Sequence, residues 1–451
     1  MRSQRGGQLR ELFGQQWFVT LLAARLFSQC ADGIFQASLY GALLFNPEHH
    51  TEPAEVAGGL VLLVLPYSVV GPFAGVFLDR WRRQRVLSRG ATIHGVLAAG
   101  SAVLLATLGS RSPIFDIAAF GALAVNRFYL AAQSAALPSV VAERHLVIGN
   151  ALSTTAGTVV TIVGGGIGLG VRHLSGSNDD GTAVVAAVSF VGYLVAAAAA
   201  ARLPADRLGP HEPAVGAVKD QLSAIASGFA SGAAYVWRHR PAARALGVRF
   251  GHQGLFGLWT IMTLLLYRNT FHNEGPLRAG LVGAGQAATA GGVGLVVAAL
   301  ITPRMTRRIG LHRWIALSTA LPALSLLALG TPYRLPLFVL SAVALGFAMH
   351  ATKVCVDTIV QETVEDDFRG RAFALYDAGS NACFAAMAVV GAFMLPLSGR
   401  SPAALIVMST AYLLLSGAYA ATSRTDPRPD PATNPSLVAE QASQEVSEQT
   451  P

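Results

Sequence analysis

Charge is the scarcest thing in this chain. Only 13% of its 451 residues are Asp, Glu, Lys or Arg, whereas soluble domains carry about 25%. With 52% apolar residues, a water-soluble fold of this size has too little polar surface to cover itself, so lipid is the expected solvent. Cysteine is nearly absent. Cys30, Cys355 and Cys383 stand in or beside apolar segments, with no CxxC pair and no histidine cluster, which argues against a disulfide frame or a metal site. There is no Walker A loop, so ATP is not the direct energy source. No nucleophile–base constellation stands in the polar segments, which argues against an enzyme. Met1–Phe13 is basic but runs into a full-length apolar span without a small-residue cleavage site, so no signal peptide is read there.

What is present is long apolar runs. A bilayer crossing needs about 20 residues, and twelve runs suffice: 17–45, 56–78, 86–108, 114–137, 147–171 and 183–201, then 245–267, 279–302, 312–330, 335–356, 371–396 and 402–422. The expected fold is an all-α polytopic membrane protein with two six-helix bundles. Residues 1–202 form the first bundle, 203–244 a linker, 245–422 the second bundle, and 423–451 a polar tail whose composition predicts disorder.

The formal charge of +8 would suggest nucleic acid in a soluble protein, but the arginines cluster at the ends of apolar runs and act as topology determinants. Most of the 33 Lys and Arg fall on one side of the alternation. The opposite loops are short, and the first of them, Asn46–Pro53, carries Glu48 and Glu52 and no base. By the positive-inside rule both termini are cytoplasmic in a cell inner (plasma) membrane.

In the linker, Val215, Val218, Leu222, Ile225, Phe229 and Val236 recur at steps of three, four or seven, while Lys219 and Asp220 fall off that stripe. This predicts an amphipathic helix lying on the inner membrane face. A repeat also joins the halves: Ala298–Arg304, followed by Arg307 and Arg308, ends the eighth run as Leu78–Arg85 ends the second, with Thr302 where the first half has Asp79.

The stretch Gly71–Arg89 organises the chain. Asp79 and five arginines from Arg80 to Arg89 interrupt two apolar runs, and each arginine would cost ~2.5–3.5 kcal/mol in hydrocarbon. Gly71 and Gly75, four apart, let a neighbouring helix approach closely. The order Gly75-x-Phe77-Leu78-Asp79-Arg80-x-x-Arg83-x-Arg85 resembles the signature loop of the major facilitator superfamily, with Arg82 where that motif usually has glycine. The resemblance implies a conformational switch. Asp79 would meet the start of the eleventh helix near Arg371–Ala374 when the cavity faces outward, and Arg80 or Arg83 would pair with Glu143. The hinge Asp366-Asp367-Phe368-Arg369-Gly370-Arg371 and the order Arg25-x-x-Ser28-x-x-x-Asp32 are similar to the branch with enterobactin-exporter-like and macrolide-efflux-like proteins. That likeness implies a secondary transporter, specifically a proton-coupled exporter of drug-like or amphiphilic small molecules, working as a monomer in the bilayer without cofactor or metal. An importer or a lipid or siderophore transporter of the same fold remains open, as does a non-transporting receptor or assembly factor.

Charges inside spans face a cavity or a partner rather than lipid. Arg25 and Asp32, seven apart, share one helical face. They form either an internal ion pair or a site where Asp32 carries a proton or meets substrate. Arg127 resembles the fourth-helix arginine that facilitators commonly place in the central cavity, and Asp32 is its nearest expected partner. Arg249 and His252, with Gln253, make a polar patch on the seventh span, while His94 and His350 read as hydrogen-bonded packing residues. Gly157, Gly164, Gly165, Gly166, Gly168 and Gly170 in the fifth span suffice for helix packing. They also resemble the glycine-rich fifth helix of drug–proton antiporters, without its proline.

Overall fold

The computed structural model describes residues 11–45, 53–69, 77–78, 80–142, 145–176, 178–209 and 218–423. The described residues hold thirteen long helices. The first six are α1 (Gln16–Leu43), α2 (Pro53–Val69), α3 (Arg83–Leu108), α4 (Pro113–Ala136), α5 (Leu146–Ser175) and α6 (Asp179–Ala201). Then come α7 (Val218–Arg238), α8 (Arg240–Asn269), α9 (Gly280–Ile309), α10 (Leu311–Ser325, continued by a π turn to Gly330), α11 (Leu335–Thr363), α12 (Asp366–Met394) and α13 (Pro402–Thr422). Ten of them are long and apolar enough to cross a bilayer. Of the remainder, α2 is a shorter apolar helix, α8 carries Arg240, Arg244, Arg249 and His252 along its 30 residues, and α7 is the linker helix.

Local sequence sets the ends of these helices. Asn178 caps α6 by accepting from Gly181 N–H at 3.0 Å, and Ser401 caps α13 by accepting from Ala404 N–H at 3.1 Å. At Gly310 the chain turns from α9 into α10 with φ of 88°, a conformation that suits glycine. Several helices outrun their apolar segments, because the backbone keeps satisfying itself after the side chains turn polar. So α9 continues to Ile309 and α11 to Thr363. Lys353 and Asp357 therefore lie in the interior of a continuous helix.

Helix α1 is the centre of the first bundle, and small residues let it sit against α5. A Cβ on Gly33 would meet the Thr161 carbonyl oxygen at 2.1 Å, and one on Gly164 would meet the Cys30 oxygen at 2.2 Å. Gly168 faces Ala37 and Ile34. The packing role of the fifth-span glycines thus holds at Gly164 and Gly168, whereas Gly166 and Gly170 face open space.

The buried apolar side chains divide by depth. At one end of the helices the arginines of 80–85 and 304–308 stand, and this is called here the basic end. Near the basic end there are two separate cores. One is built from α1 and α3–α6 around Leu21, Leu87, Tyr129 and Ala200, and the other from α7–α13 around Leu246, Ile315, Val356 and Tyr419. At the far end a single core runs through both bundles, from Phe35, Leu105 and Phe115 to Trp259, Phe338, Phe384 and Tyr412. There Arg268 Nη1 of α8 donates to the Leu44 carbonyl at 3.3 Å, and Gly285 of α9 faces Leu169 of α5. Among the described residues, the two bundles share one core at the far end and have separate cores at the basic end.

Helix α7 packs on protein rather than lying free on the membrane surface. Tyr235 stacks on Phe368 at 4.3 Å with rings 6° from parallel, Val236 is buried, and Gly228 and Gly232 lie against Arg371. Planar stacking and two glycines allow a close approach that a stripe of aliphatic positions does not foretell.

Candidate substrate and ion site

Asp32 is 1% exposed, inside the first bundle where α1, α3, α4 and α6 meet. The Tyr193 hydroxyl of α6 donates to its Oδ1 at 2.8 Å, His94 Nδ1 of α3 stands 3.6 Å from the same oxygen, and the Asn126 side chain of α4 approaches the carboxylate. The His94 and Tyr193 rings stack at 4.0 Å. The surroundings of Asp32 are therefore an imidazole, a phenol and an amide, with no Lys or Arg within ion-pair distance among the described residues. Sharing a face with Arg25 did not make an ion pair. A spacing of seven fixes direction on one helix, but α3, α4 and α6 fill the space beside Asp32 while Arg25 turns toward α5. The Arg25 Nε lies against Gly157, and the Thr161 hydroxyl donates to neighbouring Gln29 at 2.9 Å. His94, expected as a hydrogen-bonded packing residue, is buried in the stack with Tyr193 and stands beside the carboxylate.

A second group of charges gathers nearer the basic end. Arg25, Arg127 and Arg249 each stand nine residues in from the basic ends of their helices, at Gln16, Ala136 and Arg240. Lys353 is ten residues from Thr363, and Asp377 eleven from Asp366. At 1.5 Å per residue, all five lie about 13–17 Å from that end. Asp377 is exposed, and Arg127 from the first bundle and Lys353, Asp357 and Arg249 from the second all lie within its electrostatic range. Lys353 Nζ pairs with Asp357 Oδ2 at 2.6 Å. The Tyr376 ring lies 5.7 Å from the Arg249 guanidinium and 5.6 Å from the Lys353 ammonium. Asp377 of the opposite bundle is thus a carboxylate within electrostatic range of Arg127. His252 is fully buried against Tyr412, 5.1 Å between ring centres, so it belongs to the interior of the second bundle rather than to the cavity face.

One sequence signal marks this site. Arg25-x-x-x-Gln29-x-x-x-Gly33 in α1 recurs as Arg249-x-x-x-Gln253-x-x-x-Gly257 in α8. The packing repeats with it, because a Cβ on Gly257 would meet the Phe384 carbonyl of α12 at 2.2 Å, as one on Gly33 meets Thr161 of α5. Asp377 and Tyr376 carried no signal of their own, since neither stands in a recognisable motif.

Of the switch residues, Gly71, Gly75, Asp79 and Glu143 lie outside the described residues, as does the side chain of Arg369. Arg83 Nη1 donates to the carbonyls of Ala135 at 2.9 Å and Leu208 at 3.3 Å, tying α3 to the ends of α4 and α6. Arg80 follows one turn after Phe77, its N–H on the Phe77 carbonyl at 3.1 Å. Arg371 donates to Ser231 of α7 at 3.4 Å and lies over Phe368 at 5.1 Å, so it grips the linker helix.

Uncharacterized MFS-type transporters of Mycobacterium tuberculosis and Mycobacterium bovis are each 33% identical to this chain over 400 residues, covering 88% of it and 89% of the relative. The chain belongs to the major facilitator superfamily. The sequence profile of that superfamily matches residues 252–446. Among solved structures, a mutant of the peptide transporter POT superposes with a TM-score of 0.68 at 14% identity, covering 89% of this chain and 94% of the other. The nucleoside transporter NupG does so with 0.64 at 14% identity, covering 91% and 100%. These structures share the facilitator fold. The protein is a multi-pass membrane transporter of that superfamily, which is not a family of enzymes.

Proposed function

We propose that this facilitator is a proton-coupled exporter of drug-like or amphiphilic small molecules, working by alternating access as a monomer in the plasma membrane. The observation that carries the reading is the division of the core: one shared core at the far end, two separate cores at the basic end, and a level of charges between them. Two bodies joined at one end and parted at the other form half of a rocking cycle, and a ligand that prefers one state shifts the population. The bodies are residues 1–202 and 245–422, with 203–244 as their link. With the basic end in the cytoplasm, the conformation is inward-open. The buried Asp32–His94 pair, 3.6 Å apart, is the proton-handling element of the first bundle. The resemblance of the 366–371 hinge and of the Arg25–Asp32 order to the enterobactin-exporter-like and macrolide-efflux-like branch supports export.

The test is uptake of a labelled compound panel into inverted vesicles with and without a proton gradient. Accumulation that collapses with a protonophore supports the proposal, whereas gradient-independent flux, or uptake only in right-side-out vesicles, would sink it. Cysteines at Arg82, Arg240 and Arg307 should resist labelling from outside intact cells. Labelling at two of the three overturns the orientation.

A further inference from the structure

Two arginines in the spans lack the compensation that burial demands. Arg249 is 8% exposed, its Nη1 donates to the Met349 sulfur at 2.8 Å, and its Nε has no partner. Thioether sulfur is a weak acceptor and carries no charge. Arg25, at the equivalent place in the first bundle, is also 8% exposed with Nε unpartnered. Among the described residues neither has a carboxylate within 4 Å. A buried guanidinium left so is strongly disfavoured unless an anion reaches it.

The surrounding charges do not supply that anion. Asp357 is already committed to Lys353 at 2.6 Å. Asp377 alone is shared between Arg127 and Arg249, at range rather than in contact with Arg249. Among the described residues at this level, Arg25 and Arg249 therefore stand without a carboxylate in contact. Asp377 is exposed, so water and solutes entering from the parted end reach it.

We infer that this level binds the anionic group of the transported molecule, a carboxylate or phosphate monoester, between Arg249 and Arg127, with Asp377 as the resident counter-ion it displaces. The inference rests on the transporter reading above and narrows its substrate class to acidic amphiphiles. Guanidinium groups suit this role, since each offers a planar fork of donors to two oxygens at once. Arg127 belongs to α4 and Arg249 to α8, so one bound anion contacts both bundles. Binding then favours the arrangement in which α4 and α8 approach, which couples occupancy to the rocking motion.

The experiment is calorimetric titration of the purified full-length protein, in neutral maltoside detergent, with octyl phosphate, octanoate and octyltrimethylammonium. Either anionic probe should bind better than the cationic one, and whichever binds identifies the headgroup. Arg249→Gln and Arg127→Gln should each weaken that binding about tenfold or more, while Arg304→Gln, on the exposed surface of α9, should match the parent. Equal binding of the ammonium probe overturns the inference, and so does a loss below threefold in both glutamine variants. If Arg249→Gln fails to fold, Arg249→Lys, which keeps the charge, should fold and retain anion preference; lost preference in that variant counts against the site. Anion binding without gradient-driven transport would remove the transport reading and leave the site standing. Gradient-driven transport indifferent to headgroup charge would do the reverse.

Discussion

Arg268 of α8 donates from Nη1 to the carbonyl oxygen of Leu44, at the end of α1, at 3.3 Å, and so ties one bundle to the other at the far end. A hydrogen bond from a charged donor contributes about 1.5–3 kcal/mol, and each 1.4 kcal/mol is roughly tenfold in an equilibrium. A contact made in only one state of a rocking protein therefore sets the balance between states.

Arg268→Gln should raise the fraction open at the far end about tenfold. Cysteines replacing Leu169 and Gly285, which face each other across α5 and α9, report on that end. Their cross-linking should be rapid in the parent background and slower with Arg268→Gln. Unchanged cross-linking would mean that the shared core alone holds the far end closed.

Helix packing gives a sharper test. Gly33→Ala would press a methyl group on the Thr161 carbonyl at 2.1 Å, and Gly257→Ala on that of Phe384 at 2.2 Å. Backbone cannot yield as a flexible side chain does, so each should cost about 1–3 kcal/mol. Gly166→Ala and Gly170→Ala meet nothing within 4 Å and should be neutral. Thermal retention of the monodisperse peak in detergent separates the two pairs, and equal behaviour of all four would refute the packing argument.

Asp32→Asn keeps an acceptor for the Tyr193 hydroxyl and should fold normally. If Asp32 handles the proton, accumulation against a gradient should disappear while equilibrium substrate binding stays within about threefold. Retained uphill transport would make the Asp32–Tyr193–His94 group a structural device, to be confirmed by the melting temperature of Tyr193→Phe.

The linker offers a fourth test. Gly232 faces the Arg371 side chain and backbone, with a Cβ at 3.0 Å from that of Arg371. Gly232→Leu should push α7 off α12 and break the Tyr235–Phe368 stack, exposing the 218–238 segment to limited proteolysis. A proteolysis rate equal to the parent's would show that α7 is held by other contacts.

Much of this architecture could be read directly. The run 86–108 appears as α3 from Arg83 to Leu108, and 402–422 as α13 over Pro402–Thr422, because leaving water for lipid depends on the composition of about 20 consecutive residues. The Arg25, Asp32, Arg127 and Arg249 positions could be singled out for the same reason, since a charge within a span is costly wherever it points. Their partners could not. Periodicity tells which way Asp32 leaves its own helix, but Tyr193 lies 161 residues later, and only the crossing of α1 with α6 brings the two together.

By itself, then, the sequence determined which segments leave water, where each helix can be crossed closely, and which charged residues are too costly to be idle, because these are local sums over neighbours in the chain. Tertiary structure alone decided that Arg127 comes within electrostatic range of Asp377 of the other bundle, that His94 rests on Asp32, and that the described residues share one core at the far end and two at the basic end. Those outcomes depend on how a dozen rigid helices share a finite volume. A glycine such as Gly33 or Gly257 allows a neighbour to approach to a carbonyl's width, but the geometry of the whole bundle chooses which neighbour arrives.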